Sequence, residues 1–158
     1  MPTRAWASCW VESVWHDGQH GARSRAICFP LKVDTMTEHI DDETGIRTAI
    51  DYYVEGIRNG DVEILKRGFH PQAVMCGYLG DSVLATPIQG LYDWVNATPA
   101  PSKTGQLFSC TIKSIEITGR VAAAKMSEQW PDGAFTDYFT LLKVEGTWWL
   151  VSKTFDAD

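Results

Sequence analysis

The chain has 158 residues, 44% of them hydrophobic, and a formal net charge of −6. That length suits one domain with a sizeable core, and an acidic balance without a basic block argues against a nucleic-acid or anionic-membrane surface. The apolar runs are too short to cross a bilayer, so a cytoplasmic protein without a membrane partner is expected. Its four cysteines are Cys9, Cys28, Cys76 and Cys110. None forms a Cys-x-x-Cys pair and no histidine spacing accompanies them, so reduced thiols and no metal site are expected. A Cys9–Cys28 disulfide is the alternative.

Residues 1–35 differ from the rest. They hold Trp6, Trp10, Trp15 and two cysteines among scattered Arg, Ser and Gly, without helical or strand periodicity. A basic start followed by an apolar stretch is missing, so this is not a secretory signal. Arg4, Arg23 and Arg25 with several serines faintly resemble a transit peptide, against which stand Glu12 and Asp17. The segment is read as a poorly ordered extension or the product of a start assigned too early. The domain is then expected over 36–158.

From Asp41 the pattern is regular. Asp41, Asp42, Glu43 and Thr44 offer capping groups and first-turn negative charge. Ile46, Ala49, Ile50, Tyr53, Val54 and Ile57 follow at helical spacing as one apolar stripe. Asn59 and Gly60 end that helix, and Asp61 caps a second through Val62, Ile64 and Leu65. Phe69, His70 and Pro71 stop it, because proline disfavours helix at the residue before it. Residues 73–78 and 82–88 read as strands around a Gly80-Asp81 turn, 89–96 as a third helix, and 98–104 as a loop.

Residues 106–155 read as a four-stranded antiparallel meander, with strands at 107–117, 121–130, 134–144 and 148–155 split by glycine-containing turns. Parity sorts the side chains into two faces. Phe108, Cys110, Ile112, Met126, Glu128, Trp130, Phe135, Asp137, Phe139, Leu141, Trp149, Val151, Lys153 and Phe155 share one. The other is rich in Thr and Ser and includes Tyr138 and Trp148. Tight turns would set Trp130 opposite Phe135, Glu128 opposite Asp137, Phe139 opposite Lys153 and Phe155 opposite Asp137. Glu128, Asp137 and Lys153 are the charged exceptions on an otherwise apolar face. Helices early and consecutive strands late make an α+β chain, and a bent sheet around helices encloses a ligand cavity.

The element order and three segments carry a resemblance. They are 53–61, from Tyr53 to the Gly60-Asp61 stop; 69–75, opening Phe69-His70-Pro71; and 135–155, with Asp137, Phe139, Trp148, Trp149 and Lys153. Residues 37–155 resemble the nuclear transport factor 2-like superfamily, and within it the lumazine-binding branch. The resemblance implies a cone-shaped roll, cystatin-like, of a mainly antiparallel sheet around N-terminal helices. It also implies a homodimer formed through the outer sheet face. The superfamily includes ketosteroid isomerases and SnoaL-like cyclases and dehydratases. Tyr53 stands where the isomerases place an oxyanion-stabilising tyrosine, but their general-base aspartate falls at Gly77, so half of that machinery is missing.

The candidate chemistry has plain alternatives. His70 is either a base titrating near neutrality or a histidine that locks the helix–strand turn. Asp137 and Glu128 together would form an acid and a base around one ligand, or Asp137 would be neutralised by Lys153 in a structural pair. The Tyr53 hydroxyl needs a partner, from ligand or protein. Trp94, Trp130 and Trp149 are core or pocket wall, and Cys110 is a small apolar filler. Neither a phosphate-binding glycine loop nor a His-Glu-x-x-His motif occurs. The expectation is a cofactor-free protein that binds a mostly apolar or aromatic small molecule. The pocket would be built from Tyr53, His70, Met75, Trp94, Cys110, Glu128, Trp130, Asp137, Phe139 and Lys153. The catalytic alternative is isomerisation, dehydration or cyclisation, with His70 or Asp137 moving the proton and Tyr53 stabilising an oxyanion. A dimeric interaction module without ligand is the third reading.

Overall fold

The computed structural model describes residues 35–157, with side chains from Asp42 onward. The expected N-terminal extension, with Cys9 and Cys28, lies outside the described residues apart from Thr35.

The first helix, α1 (Thr35–Asn59), begins upstream of the acidic run. Asp41 to Thr44 therefore sit within the helix and do not cap it. Ile46, Ala49, Ile50, Tyr53 and Ile57 form its buried stripe. Gly60 ends it at φ 63°, a left-handed conformation that costs glycine little. Asp61 then caps α2 (Val62–Gly68), accepting from the Glu63 and Ile64 amides at 2.9 and 3.3 Å.

The chain continues as β1 (Phe69–Leu79), β2 (Ser82–Pro87), α3 (Gln89–Ala97), a short α4 (Pro101–Thr104) and the four-strand run β3 (Ser109–Thr118), β4 (Val121–Trp130), β5 (Gly133–Val144) and β6 (Thr147–Ala157). Six strands make one sheet in the order β2-β1-β6-β5-β4-β3. Only the β1–β6 pairing is parallel; it closes the early hairpin onto the late meander. Helix α1 lies against β6. The result is an α+β cone, with the core between α1 and the concave sheet face.

Two registers differ from expectation. The β4–β5 turn is two residues long, with Trp130 opposite Gly133, so Glu128 faces Phe135 and Asp137 faces Met126. The slip is by two, an even number, so every side chain keeps its face. A bulge between β5 and β6 then intervenes after Thr140: Thr140 pairs with Ser152 but Leu141 pairs with Leu150. The extra residue reverses parity in the first half of β6. Trp148 and Leu150 therefore point into the core in place of Trp149 and Val151, and Trp148 leaves the outer face. Beyond the bulge the expected pairs Phe139–Lys153 and Asp137–Phe155 form.

Candidate functional site

The inner face of the sheet, α1 and α3 enclose a cavity of about 670 Å³. Its wall is largely apolar: Ile57 from α1, Met75 and Leu79 from β1, Leu84 from β2, Leu91 and Trp94 from α3, and Phe135 and Phe155 from the meander. Tyr53, Glu128 and Lys153 supply most of the polar chemistry, and Asp132 lies at the β4–β5 turn.

Glu128 is fixed from two sides. The Tyr53 hydroxyl donates a short hydrogen bond to Oε1, and Trp130 Nε1 donates to Oε2 at 3.0 Å. Glu128 and Trp130 are two apart on β4, hence side by side on one face. Tyr53 itself is wedged by rings, with Phe139 at 5.3 Å and Phe69 at 6.0 Å. Lys153 Nζ lies 2.5 Å from Asp137 Oδ1. The ammonium also has ring faces about it: Phe155 at 4.6 Å, Tyr53 at 5.4 Å and Phe139 at 6.0 Å. Glu128 is 3% exposed, Asp137 0% and Lys153 5%, so all three are screened from bulk water.

Two carboxylates and one ammonium in a dry site would carry a net negative charge if all were ionised. One proton shared between the acids makes the cluster neutral. Burial pushes Asp137 up to about 8, against the pull of Lys153 and with the push of Glu128. Burial also raises Glu128, but Lys153 and hydrogen bonds from Asp137, Tyr53 and Trp130 outweigh it and hold Glu128 below the ordinary carboxylate range. Glu128 is thus the ionised member and Asp137 the protonated one. This accounts for Asp137 Oδ2, which is buried beyond the reach of any N–H or O–H donor. A carboxyl proton on Oδ2, directed at Glu128, satisfies it, while Oδ1 still accepts from Lys153. Burial and the Glu128 charge also hold the Tyr53 phenol far above its usual value, so it acts as a donor.

Of the expected pocket residues, Tyr53, Met75, Trp94, Glu128, Trp130 and Lys153 line the cavity. Asp137 and Phe139 lie behind Lys153 and Tyr53. Cys110 faces Glu128 across the β3–β4 ladder, and burial with the nearby acids raises its thiol, which leaves it a filler and not a thiolate. His70 does not line the cavity: its Nδ1 accepts from the Gln72 amide at 3.2 Å and its ring meets Trp149 edge-on. The contribution of β2 and α3 to the wall, through Leu84, Thr86, Gly90 and Leu91, has no local sequence mark. The Trp130–Glu128 bond does have one, the two-residue spacing on a strand. Among the described residues no cluster of His, Cys, Asp and Glu has metal-site geometry, and no helix is long and apolar enough to cross a membrane.

A single α+β cone whose helices close a cavity on a curved sheet defines the nuclear transport factor 2-like class. The family model described as "Putative lumazine-binding" matches residues 41–156, and the chain belongs to that family. Two solved structures, both nuclear transport factor 2-like proteins of unknown function, are similar to it. One from Shewanella baltica is 32% identical with a TM-score of 0.69, covering 76% of this chain and 96% of its own. One from Methylobacillus flagellatus is 33% identical with a TM-score of 0.68, covering 75% and 94%. A curated relative from Cladobotryum sp, named aldolase FrzH, is 29% identical over 107 residues, which is 66% of this chain and 82% of the relative.

Proposed function

We propose that the protein is a cofactor-free enzyme that moves a proton at the carbon beside a carbonyl group, in aldol-type making or breaking of a carbon–carbon bond. The substrate is a small, mostly apolar carbonyl compound. The observation that carries this reading is the charge-neutral trio of Glu128, Asp137 and Lys153 at the wall of an otherwise apolar cavity. Such a wall orients a ligand with its polar end against the trio. Glu128, ionised and held by Tyr53 and Trp130, is the base. Asp137 holds the second exchangeable proton, and Lys153 is the cation that meets the carbonyl oxygen. The relative named as an aldolase supports the reaction class. The proton-transfer role that the sequence assigned to His70 passes to Glu128, because His70 faces away from the cavity.

The test is deuterium exchange. Ketones and 1,3-diketones with apolar substituents are incubated with the protein in D₂O and followed by proton NMR. Exchange above the buffer rate, lost in Glu128→Gln, is expected. Ligand-dependent melting shifts with exchange no faster than in buffer would instead establish the second reading, a non-catalytic binder, which the same cavity favours. We further propose a homodimer through the outer sheet face, where Val74, Tyr78, Tyr138 and Leu142 are exposed. Sedimentation velocity at micromolar concentration tests it.

A further inference from the structure

We infer that Lys153 Nζ forms a covalent imine with the carbonyl carbon of the substrate. This rests on the proton-transfer reading above and deepens it. Lys153 is a cavity-lining residue that is 5% exposed, so a ligand in the cavity is what its amine can meet. A lysine is rarely placed in an apolar wall unless paired, and here the pairing is with a residue deeper than itself, Asp137. That leaves the cavity side of the nitrogen facing the ligand.

Charge conservation favours the step. A protonated imine keeps one positive charge on the same nitrogen, 2.5 Å from Asp137 Oδ1 and among the rings of Phe155, Tyr53 and Phe139. The surroundings that stabilise the ammonium therefore stabilise the iminium, and no new charge is buried. The atoms balance without a redox partner. The ammonium passes a proton to the Glu128–Asp137 pair, and the nitrogen lone pair attacks the carbonyl carbon as the C=O π bond breaks. The oxygen takes up a proton to give a carbinolamine. It then leaves as water with a second proton, and the C=N bond forms. The sum is ammonium plus ketone giving iminium plus water. Glu128 can then remove the α-proton, its electrons moving into the iminium to give the neutral enamine. Two carboxyls that share one proton can both accept and return the proton in this sequence.

The probe is 2,4-pentanedione, whose imine tautomerises to a conjugated enaminone with near-ultraviolet absorbance. The expected result on the full chain is a mass gain equal to the diketone less one water, mapped by peptide mass spectrometry to Lys153. Lys125→Arg keeps that adduct and Lys153→Arg loses it. If Lys153→Arg does not fold, peptide mapping of the wild-type chain alone decides. No adduct, or one spread over exposed lysines such as Lys66 and Lys103, overturns the inference. Deuterium exchange without an adduct would remove the imine and leave the proton-transfer reading standing. An adduct on Lys153 without exchange would keep the imine and remove that reading.

Discussion

Asp137 and Lys153 lie across the β5–β6 ladder with their charged atoms 2.5 Å apart and almost no solvent contact. Removing one partner of a buried pair strands the other, at a cost of about 3–5 kcal/mol. Asp137→Ala should therefore lower unfolding free energy by about that amount in urea titration. Asp137→Asn should cost much less, because the amide keeps both the shape and the neutrality of a protonated carboxyl. Equal losses in the two variants would mean that Asp137 is ionised in the fold and that the shared proton does not exist.

The same proton makes stability pH-dependent, with a definite sign. Burial raises Asp137 from an ordinary value of 3.8 to about 8. Between those values the folded state binds more proton than the unfolded state, so stability falls as pH rises. The contribution is complete below the unfolded value and is lost as pH climbs through about 8. Glu128, held low, acts in the opposite sense and loses its share as pH falls. Urea midpoints measured from mildly acidic to mildly alkaline pH should decline for the wild type, and the decline should flatten in Asp137→Asn. A wild-type midpoint that rises across this range would contradict the assignment.

Tyr53 and Trp130 hold opposite oxygens of Glu128. Hydrogen bonds to a charged group contribute about 1.5–3 kcal/mol each. Tyr53→Phe and Trp130→Phe should each destabilise by about that much while leaving the cavity volume nearly unchanged. Both should also raise the Glu128 carboxyl, moving the acid limb of any exchange-rate profile to higher pH. Because the two residues share one acceptor, their effects should couple in a double-mutant cycle. Additive losses and an unmoved acid limb would indicate that neither donor tunes Glu128.

Much of this site can be read from residue order. The stripe on α1 placed Tyr53 inward, and strand parity put Glu128, Trp130, Asp137 and Lys153 on one face. The two-residue slip at the β4–β5 turn left the faces intact because the strand period is two. The bulge after Thr140 was hidden, since nothing local in the Leu150-Val151-Ser152 stretch marks an extra residue. It alone reversed Trp148 and Trp149. The helix start was misjudged for a related reason: Asp42 looks like a cap residue by type, yet its role is set by residues about a hundred positions away. It accepts from Trp148 Nε1 at 3.0 Å and from Lys143 Nζ at 2.5 Å. Long-range partners of this kind leave no trace in periodicity.

That contact makes its own prediction. Asp42 is buried, and it ties α1 to the β5–β6 hairpin through one oxygen. Asp42→Ala should cost about 3–5 kcal/mol, since it leaves a buried indole N–H and a half-buried ammonium without this acceptor. Melting by circular dichroism checks it. A change under about 1 kcal/mol would mean that water replaces the carboxylate.

Gly77 stands where the isomerases of this superfamily would carry their aspartate base. It is buried on the inner face of β1, opposite Phe155 on β6. A Cβ built there would lie 2.3 Å from the Phe155 carbonyl oxygen and 2.6 Å from its ring. The backbone oxygen cannot step aside as a flexible side chain would, so the clash must open the β1–β6 ladder. Gly77→Ala should destabilise by about 1–3 kcal/mol or more through overpacking, and Gly77→Asp should do worse by adding a charge with no room for solvation. In place of the missing base, the phenyl ring of Phe155 fills that space and lies over Lys153. Phe155→Ala combined with Gly77→Asp should therefore recover part of the stability that Gly77→Asp loses, though the carbonyl clash remains. If Gly77→Asp alone melts like the wild type, β1 has slack that this packing denies, and a β1 base would again be possible.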